Sequence, residues 1–201
     1  MFIELTDLLR CPAAHDESYL VLIPGQLEHR RVIRGVLGCP VCRREYPVVE
    51  GVAEFGAAGS LPGGPGGAVP FPAADAVLAF LGLGGPGGYV ALFGDAARLA
   101  EGLAALRPGV HWVAVNPPPD VKEEPFCSLL RAPRSPLKTR SVRGAVLGNG
   151  YGADPLWQRE AARSVLPGLR VTGPGAPPLG EGLELLAAAA QWWVARVAQA
   201  G

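Results

Sequence analysis

The run GAAGSLPGGPGGAVPFP, residues 56–72, limits the fold of this chain more than any other stretch. It is built almost wholly from glycine, proline and small side chains. Such a run cannot bury enough surface to offset the entropy of ordering it, so it reads as a linker. It divides 201 residues into a small domain, residues 1–55, and a larger one, residues 73–201.

The two blocks follow different rhythms. In the first, SYLVLI and YPVVEGVAEF alternate apolar with polar residues, the grammar of short strands. In the second, helical and strand patterns take turns. Helices are expected over 73–83, 96–106, 155–166 and about 181–199, and strands over 89–94, 110–116, 142–150 and 169–173. Strands alternating with helices imply an α/β fold, a Rossmann-like doubly wound parallel sheet carrying a small β-rich N-terminal domain.

Three of the four cysteines lie in the small block. Cys39-Pro40-Val41-Cys42 places two thiolates at a spacing that fits adjacent corners of a zinc tetrahedron. A redox pair or plain buried thiols are the other readings; redox use expects the motif at a helix N-terminus, and REYPVVEG follows here as a strand. The partner half, Cys11-Pro12-Ala13-Ala14, has alanine where a second thiol belongs, and His15 stands one place further on. The imidazole arm is long enough to reach the same ion, giving the ligand set Cys11, His15, Cys39 and Cys42; the alternative is that His15 caps a surface turn. Cys127 stands apart and reads as a buried thiol.

The segments LLRCP and GCPVCRREYPVVEGV resemble the small zinc-ribbon family that includes the tRNA methyltransferase activator subunit. Leu9, Cys11, Pro12, Cys39, Cys42, Tyr46, Pro47, Val48, Glu50, Gly51 and Val52 match its pattern, and Ala14 departs from it. The resemblance covers residues 1–55. It implies a bound zinc and a partner role, in which the ribbon packs on the sheet of a class I, S-adenosylmethionine-dependent methyltransferase. The second block resembles such a methyltransferase, best over SPLKTRSVRGAVLGNG and WQREAARSVLPGLRVTG. Partner and client would then share one chain.

The parts that hold the cofactor in that family are altered here. An acid should close the first strand of the block, followed by Gly-x-Gly-x-Gly, because glycines let the backbone approach the ligand. Ala91 takes the place of the acid, and Phe93, Asp95 and Ala97 take the places of the glycines; only Gly94 remains, out of phase. The second strand ends in Asn116 rather than an acid that would accept the ribose hydroxyls, and three prolines follow. Gly94, Asp95 and Asn116 therefore read as vestiges of a cofactor site, and S-adenosylmethionine is not expected to bind. Asn149-Gly150-Tyr151 loosely echoes the Asn-Pro-Pro-Tyr type of motif that positions a target amine in these enzymes; a glycine-rich turn is the plainer reading.

The charge balance is even, with 18 bases and 18 acids, which gives no general field to draw nucleic acid or an anionic membrane. Arg131, Arg134, Lys138, Arg140 and Arg143 form a basic run without the interleaved aromatics that stack bases. His29 and His111 have no nucleophile at a recognised spacing, so no catalytic residue is assigned. In the last helix, Trp192 and Trp193 would point to different faces, and one would be free for an interface. MFIELTDLLRCP has acids where a secretory signal needs bases, so a cytoplasmic protein is expected, and the Arg-, Ala-, Gly- and Pro-rich composition suits a bacterial coding bias. The reading is a non-catalytic zinc-binding scaffold, activator or assembly protein that contacts a protein partner or a second copy of itself. The alternatives are an active methyltransferase with a divergent cofactor site, acting on RNA or a translation protein, and a zinc-ribbon nucleic-acid binder.

Overall fold

The computed structural model describes residues 1–56, 68–177 and 182–199. Most of the expected linker, residues 57–67, lies outside the described residues.

The small block opens with a 3-10 helix, Ile3–Leu8, and continues through strands β1 (Val21–Glu28), β2 (Arg31–Gly38), β3 (Glu45–Val49) and β4 (Val52–Glu54), each antiparallel to the next. The β1–β2 turn holds His29 and Arg30 at φ 46° and 67°; the β3–β4 turn holds Glu50 and Gly51 at 50° and 81°. Two successive left-handed residues match the twist of an antiparallel pair, which is why two residues suffice to reverse the chain.

The large block contributes β5 (Tyr89–Phe93), β6 (His111–Val115), β7 (Cys127–Arg131), β8 (Val142–Leu147) and β9 (Val165–Pro174), then a hairpin of β10 (Leu183–Ala189) and β11 (Trp192–Val197). Its helices are α1 (Ala74–Leu81), α2 (Ala100–Leu106), which prolongs a 3-10 helix over Gly94–Leu99, and α3 (Pro155–Ser164). Asp154 caps α3 by accepting from the Leu156 N–H at 2.7 Å, with Pro155 at the first helical position. No helix among the described residues is long and apolar enough to cross a membrane.

Among the described residues, eleven strands form one sheet in the order β1-β2-β3-β4-β7-β6-β5-β8-β9-β11-β10. From β7 to β9 the neighbours are parallel, and the order reverses between β5 and β8. The joint between the blocks is itself strand pairing: β4 runs parallel to β7, with Val52 opposite Leu129, Ala53 opposite Leu130 and Glu54 opposite Arg131. Strand alternation sends Ala91, Phe93, Val113 and Val115 into one buried cluster and Val90, Leu92, Trp112 and Ala114 into another, one on each face of the sheet.

Parallel neighbours need a crossover, which is usually helical. The β6–β7 and β7–β8 connections contain no helix. On one face the small block supplies the missing packing, since Leu5 and Leu9 join Leu130 and Leu137 in the same fully buried cluster. Leu8–Arg10 runs alongside Pro136–Lys138, with Arg10 N–H donating to Pro136 O at 2.7 Å and Lys138 N–H donating to Leu8 O at 2.8 Å.

Two expectations are corrected. The final helix over 181–199 is the β10–β11 hairpin, reversed by Ala190 and Gln191 at φ 48° and 67°. Its alanines favour helix intrinsically, but Trp192 and Trp193 fill opposite faces of the sheet, where the two-residue period of a strand places them. Both rings are therefore buried, and neither is free for an interface. β7 carries no strand signal in the sequence, because its CSLLR is covered on both faces and lacks alternation.

Candidate functional site

The four expected ligands converge. Cys39 and Cys42 sit in the tight β2–β3 turn, which is closed by Cys39 N–H to Arg44 O and Arg43 N–H to Cys39 O, both 2.9 Å. Cys11 follows the first 3-10 helix, its N–H held by Ser18 O at 3.0 Å. The donor atoms of Cys11, His15, Cys39 and Cys42 all lie within 4.8 Å of one another. Cys11 Sγ is 3.6 Å from Cys42 Sγ, and Cys39 Sγ is 3.5 Å from His15 Nε2. Tetrahedral zinc with its usual bond lengths sets donor–donor edges of about 3.5–3.8 Å, so this set fits the ion.

The slip of one residue is absorbed locally. His15 N–H donates to Ala13 O at 2.9 Å, a tight turn that leaves Ala14 exposed and swings the imidazole back toward the thiols. His15 Nδ1 lies 2.6 Å from Asp16 O; donating there leaves Nε2 as the free lone pair, the tautomer a metal ligand requires. Burial raises Cys39, but the N–H groups of Cys42 and Val41 and the neighbouring thiols hold its pKa at about 6. Burial raises Cys11, against which the Tyr46 hydroxyl acts from 3.1 Å. This hydroxyl is placed to donate to a thiolate, the outer support that structural metal sites use.

The second candidate is the crevice at the carboxyl ends of β5 and β8, where the strand order reverses and ligands of such sheets bind. Gly94, Asp95 and Asn116 all lie at this edge, and each is engaged within the chain. Asn116 N–H₂ donates to Ala132 O and its Oδ1 accepts from Ala132 N–H, both 2.8 Å. Asp95 accepts from the Asn149 N–H at 2.8 Å and from Asn149 Nδ2 at 2.9 Å. Gly148 has no Cβ because the Asp95 carboxylate takes that space. A Cβ at Gly94 would run into the ring of Tyr151. That ring is 3 % exposed, packed 4.9 Å from Trp157 and 6.3 Å from Phe93, and burial raises its phenol pKa.

Other singled-out residues have structural partners. His111 Nε2 lies 2.9 Å from Ser128 Oγ, and its ring stacks on Phe2 at 4.8 Å. Ser128 also accepts from the Phe2 N–H at 2.9 Å and is fully buried, so this pair seals the seam between the blocks. Burial pushes His111 down to about 4. Nothing in the spacing of residues 2, 111 and 128 announces that seam. Burial pushes the Cys127 thiol up to about 12. In the basic run, Arg131 pairs with Glu54 at 3.0 Å, Lys138 donates to Asp7 O at 2.7 Å, and Arg143 donates to the carbonyls of Gly85, Pro86 and Gly87. Arg134 and Arg140 remain exposed, as does His29 in its turn.

Residues 3–51 match the family described as Trm112p-like protein. No curated protein sequence matches the chain. Among solved structures, a chain of the complex between the Haloferax volcanii Trm112 methyltransferase activator and a methyltransferase is 20% identical, with 50% of this chain aligned to 50% of that one at a TM-score of 0.42. The antibiotic-resistance methyltransferase Kmr is 15% identical over 66% of this chain and 95% of its own, at 0.43. Phosphoethanolamine N-methyltransferase 2 of Haemonchus contortus, solved with S-adenosyl-L-methionine, is 15% identical over 54% of this chain and 30% of its own, at 0.40. The chain thus spans half the length of the Haloferax chain and less than a third of the Haemonchus one.

Proposed function

We propose that this protein is a non-catalytic scaffold in which an activator-type zinc ribbon and a methyltransferase-like domain are held together in one chain. The ribbon binds one zinc through Cys11, His15, Cys39 and Cys42. The α/β domain no longer takes S-adenosylmethionine and is kept for protein–protein contact, the first instance of which is its union with its own ribbon.

The observation that carries this reading is the filled crevice. Cofactor binding needs empty space at the switch point and free polar groups at its rim. Here the space beside Gly94 holds the Tyr151 ring, Asp95 is bonded to Asn149, and Asn116 is bonded to Ala132. Admitting a ligand would require moving a buried aromatic side chain and breaking two bonded pairs, a cost of several kcal/mol before any contact forms. Support for the ribbon's role comes from the seam: β4 extends the parallel sheet, and Leu5 and Leu9 pack where a crossover helix is missing.

The test is calorimetry with S-adenosylmethionine on purified protein whose zinc content is assayed in the same sample. About one zinc per chain and no heat of binding is the expected result. Micromolar binding would sink the scaffold reading and leave an active methyltransferase with a divergent site.

A further inference from the structure

The mouth of the crevice is closed by a segment of the chain that precedes α1. Val69 N–H donates to Asn149 Oδ1 at 2.9 Å, and Asn149 Nδ2 donates to Val69 O at 3.2 Å. One carboxamide thus meets both polar groups of one residue, as a neighbouring strand would. Asn149 is fixed in that orientation by Asp95, which accepts from its side chain and from its backbone N–H. Next along the segment, Trp192 Nε1 donates to Pro70 O at 3.1 Å, and the Phe71 ring stands 5.4 Å from the Trp192 ring. Val69 and Phe71 each precede a proline, so both are biased toward extended backbone before any contact forms.

We propose that Val69-Pro70-Phe71 is a peptide ligand carried in cis, and that Asn149, Asp95 and Trp192 form its binding site. The site takes an extended residue read through its N–H and C=O, then a proline whose carbonyl meets an indole N–H, then an aromatic ring. Its chemistry is that of a peptide site rather than a nucleoside site: the Asp95 carboxylate is turned to Asn149, and the groups that meet the segment are an amide and an indole N–H. Linkage within one chain makes modest contacts sufficient, because the tethered segment is present at an effective concentration of about millimolar. The proposal rests on the scaffold reading of the crevice, of which it names the occupant.

The test uses the full chain with Val69, Pro70 and Phe71 all changed to glycine, probed with an end-blocked Ala-Val-Pro-Phe-Pro peptide at millimolar concentration. The Trp192 indole and Asn149 carboxamide resonances are followed by NMR. The expected result is that the peptide shifts both signals in the variant and neither in the native chain, and that adding Asn149→Ala weakens binding about tenfold or more. A variant with unchanged sheet amides that ignores the peptide overturns the proposal, as does binding indifferent to Asn149. Should the triple variant not fold, hydrogen exchange decides: the Val69 amide is protected in the native chain, and Asn149→Ala speeds its exchange about tenfold while β5 and β8 stay unchanged. An unprotected Val69 amide in the native chain overturns the proposal. Protection of Val69 together with S-adenosylmethionine binding would defeat the scaffold reading and leave the peptide site standing.

Discussion

The knuckle around Cys11 and the crevice beside Gly94 both differ by a few positions from the pattern expected in the sequence, and the differences have opposite outcomes. At the knuckle a ligand is displaced by one residue, yet four donor atoms still gather within 4.8 Å. At the crevice Gly94 has no side chain, and the room that one would need is taken by the Tyr151 ring. A metal site asks for donor atoms at points, and a longer side chain on a tight turn can restore a lost point. A cofactor site asks for a volume, and any ring that enters it removes the volume at once. Point requirements tolerate slippage; volume requirements do not.

The sharpest way to break this comparison is at the metal. Cys39→Ala should abolish zinc retention and destabilise the chain by more than about 4 kcal/mol, read by metal assay and chemical unfolding. Retained zinc would show that the convergence of the four donors is incidental. Tyr151→Ala attacks the other side: deleting a ring packed between Phe93 and Trp157 should cost about 3–5 kcal/mol. A cost under 1 kcal/mol by the same unfolding assay would mean that the ring is a lid over empty space rather than part of the core.

The seam between the two regions gives a pH-dependent test. His111 is held at about 4, below its ordinary 6.5, by burial. Its folded pKa is depressed, so the unfolded chain binds the proton more readily. This contribution to stability is therefore complete above about pH 6.5 and is lost as pH falls toward 4, about 3 kcal/mol in all. Replacing His111 with Gln should flatten the dependence of unfolding free energy over that window; an unchanged slope would place the acid sensitivity elsewhere. The smallest expected effect is at Arg131→Ala. It removes a half-exposed ion pair with Glu54 and should cost under about 1 kcal/mol, less still at high salt.

What could be read from the sequence follows the same division between points and volumes. Cysteine spacing is a local property, so the gathering of Cys11, Cys39 and Cys42 was legible, and the reach of an imidazole brings His15 beside them. The absence of glycine at Phe93, Asp95 and Ala97, where the methyltransferase resemblance expects it, was equally plain. What filled the gap was not, because Tyr151 lies beyond β8 and looks like part of a turn until the sheet brings it beside Gly94. Likewise, Asn116 resembles a weakened ribose acceptor, and only the β6–β7 pairing shows that its carboxamide is bonded to the Ala132 backbone. The β10–β11 hairpin has the sequence pattern of a helix because its reversal falls at Ala190-Gln191, without the Asn-Gly or Asp-Gly that marks such turns. Tertiary packing of two tryptophans overrode an alanine-rich propensity there.

The parallel pairing of β4 with β7 also imposes an order in time. Glu54 and Arg131 meet across the joint although 77 residues separate them in the chain. A nascent chain therefore finishes the ribbon strands long before the edge they pair with has been synthesised. During that interval the edge of β4 that pairs with β7 has no partner strand, and contacts of such long separation form slowly once they can form at all. Zinc captured early at the knuckle would hold the ribbon's shape through this wait, and so tie the docking of β4 to metal supply.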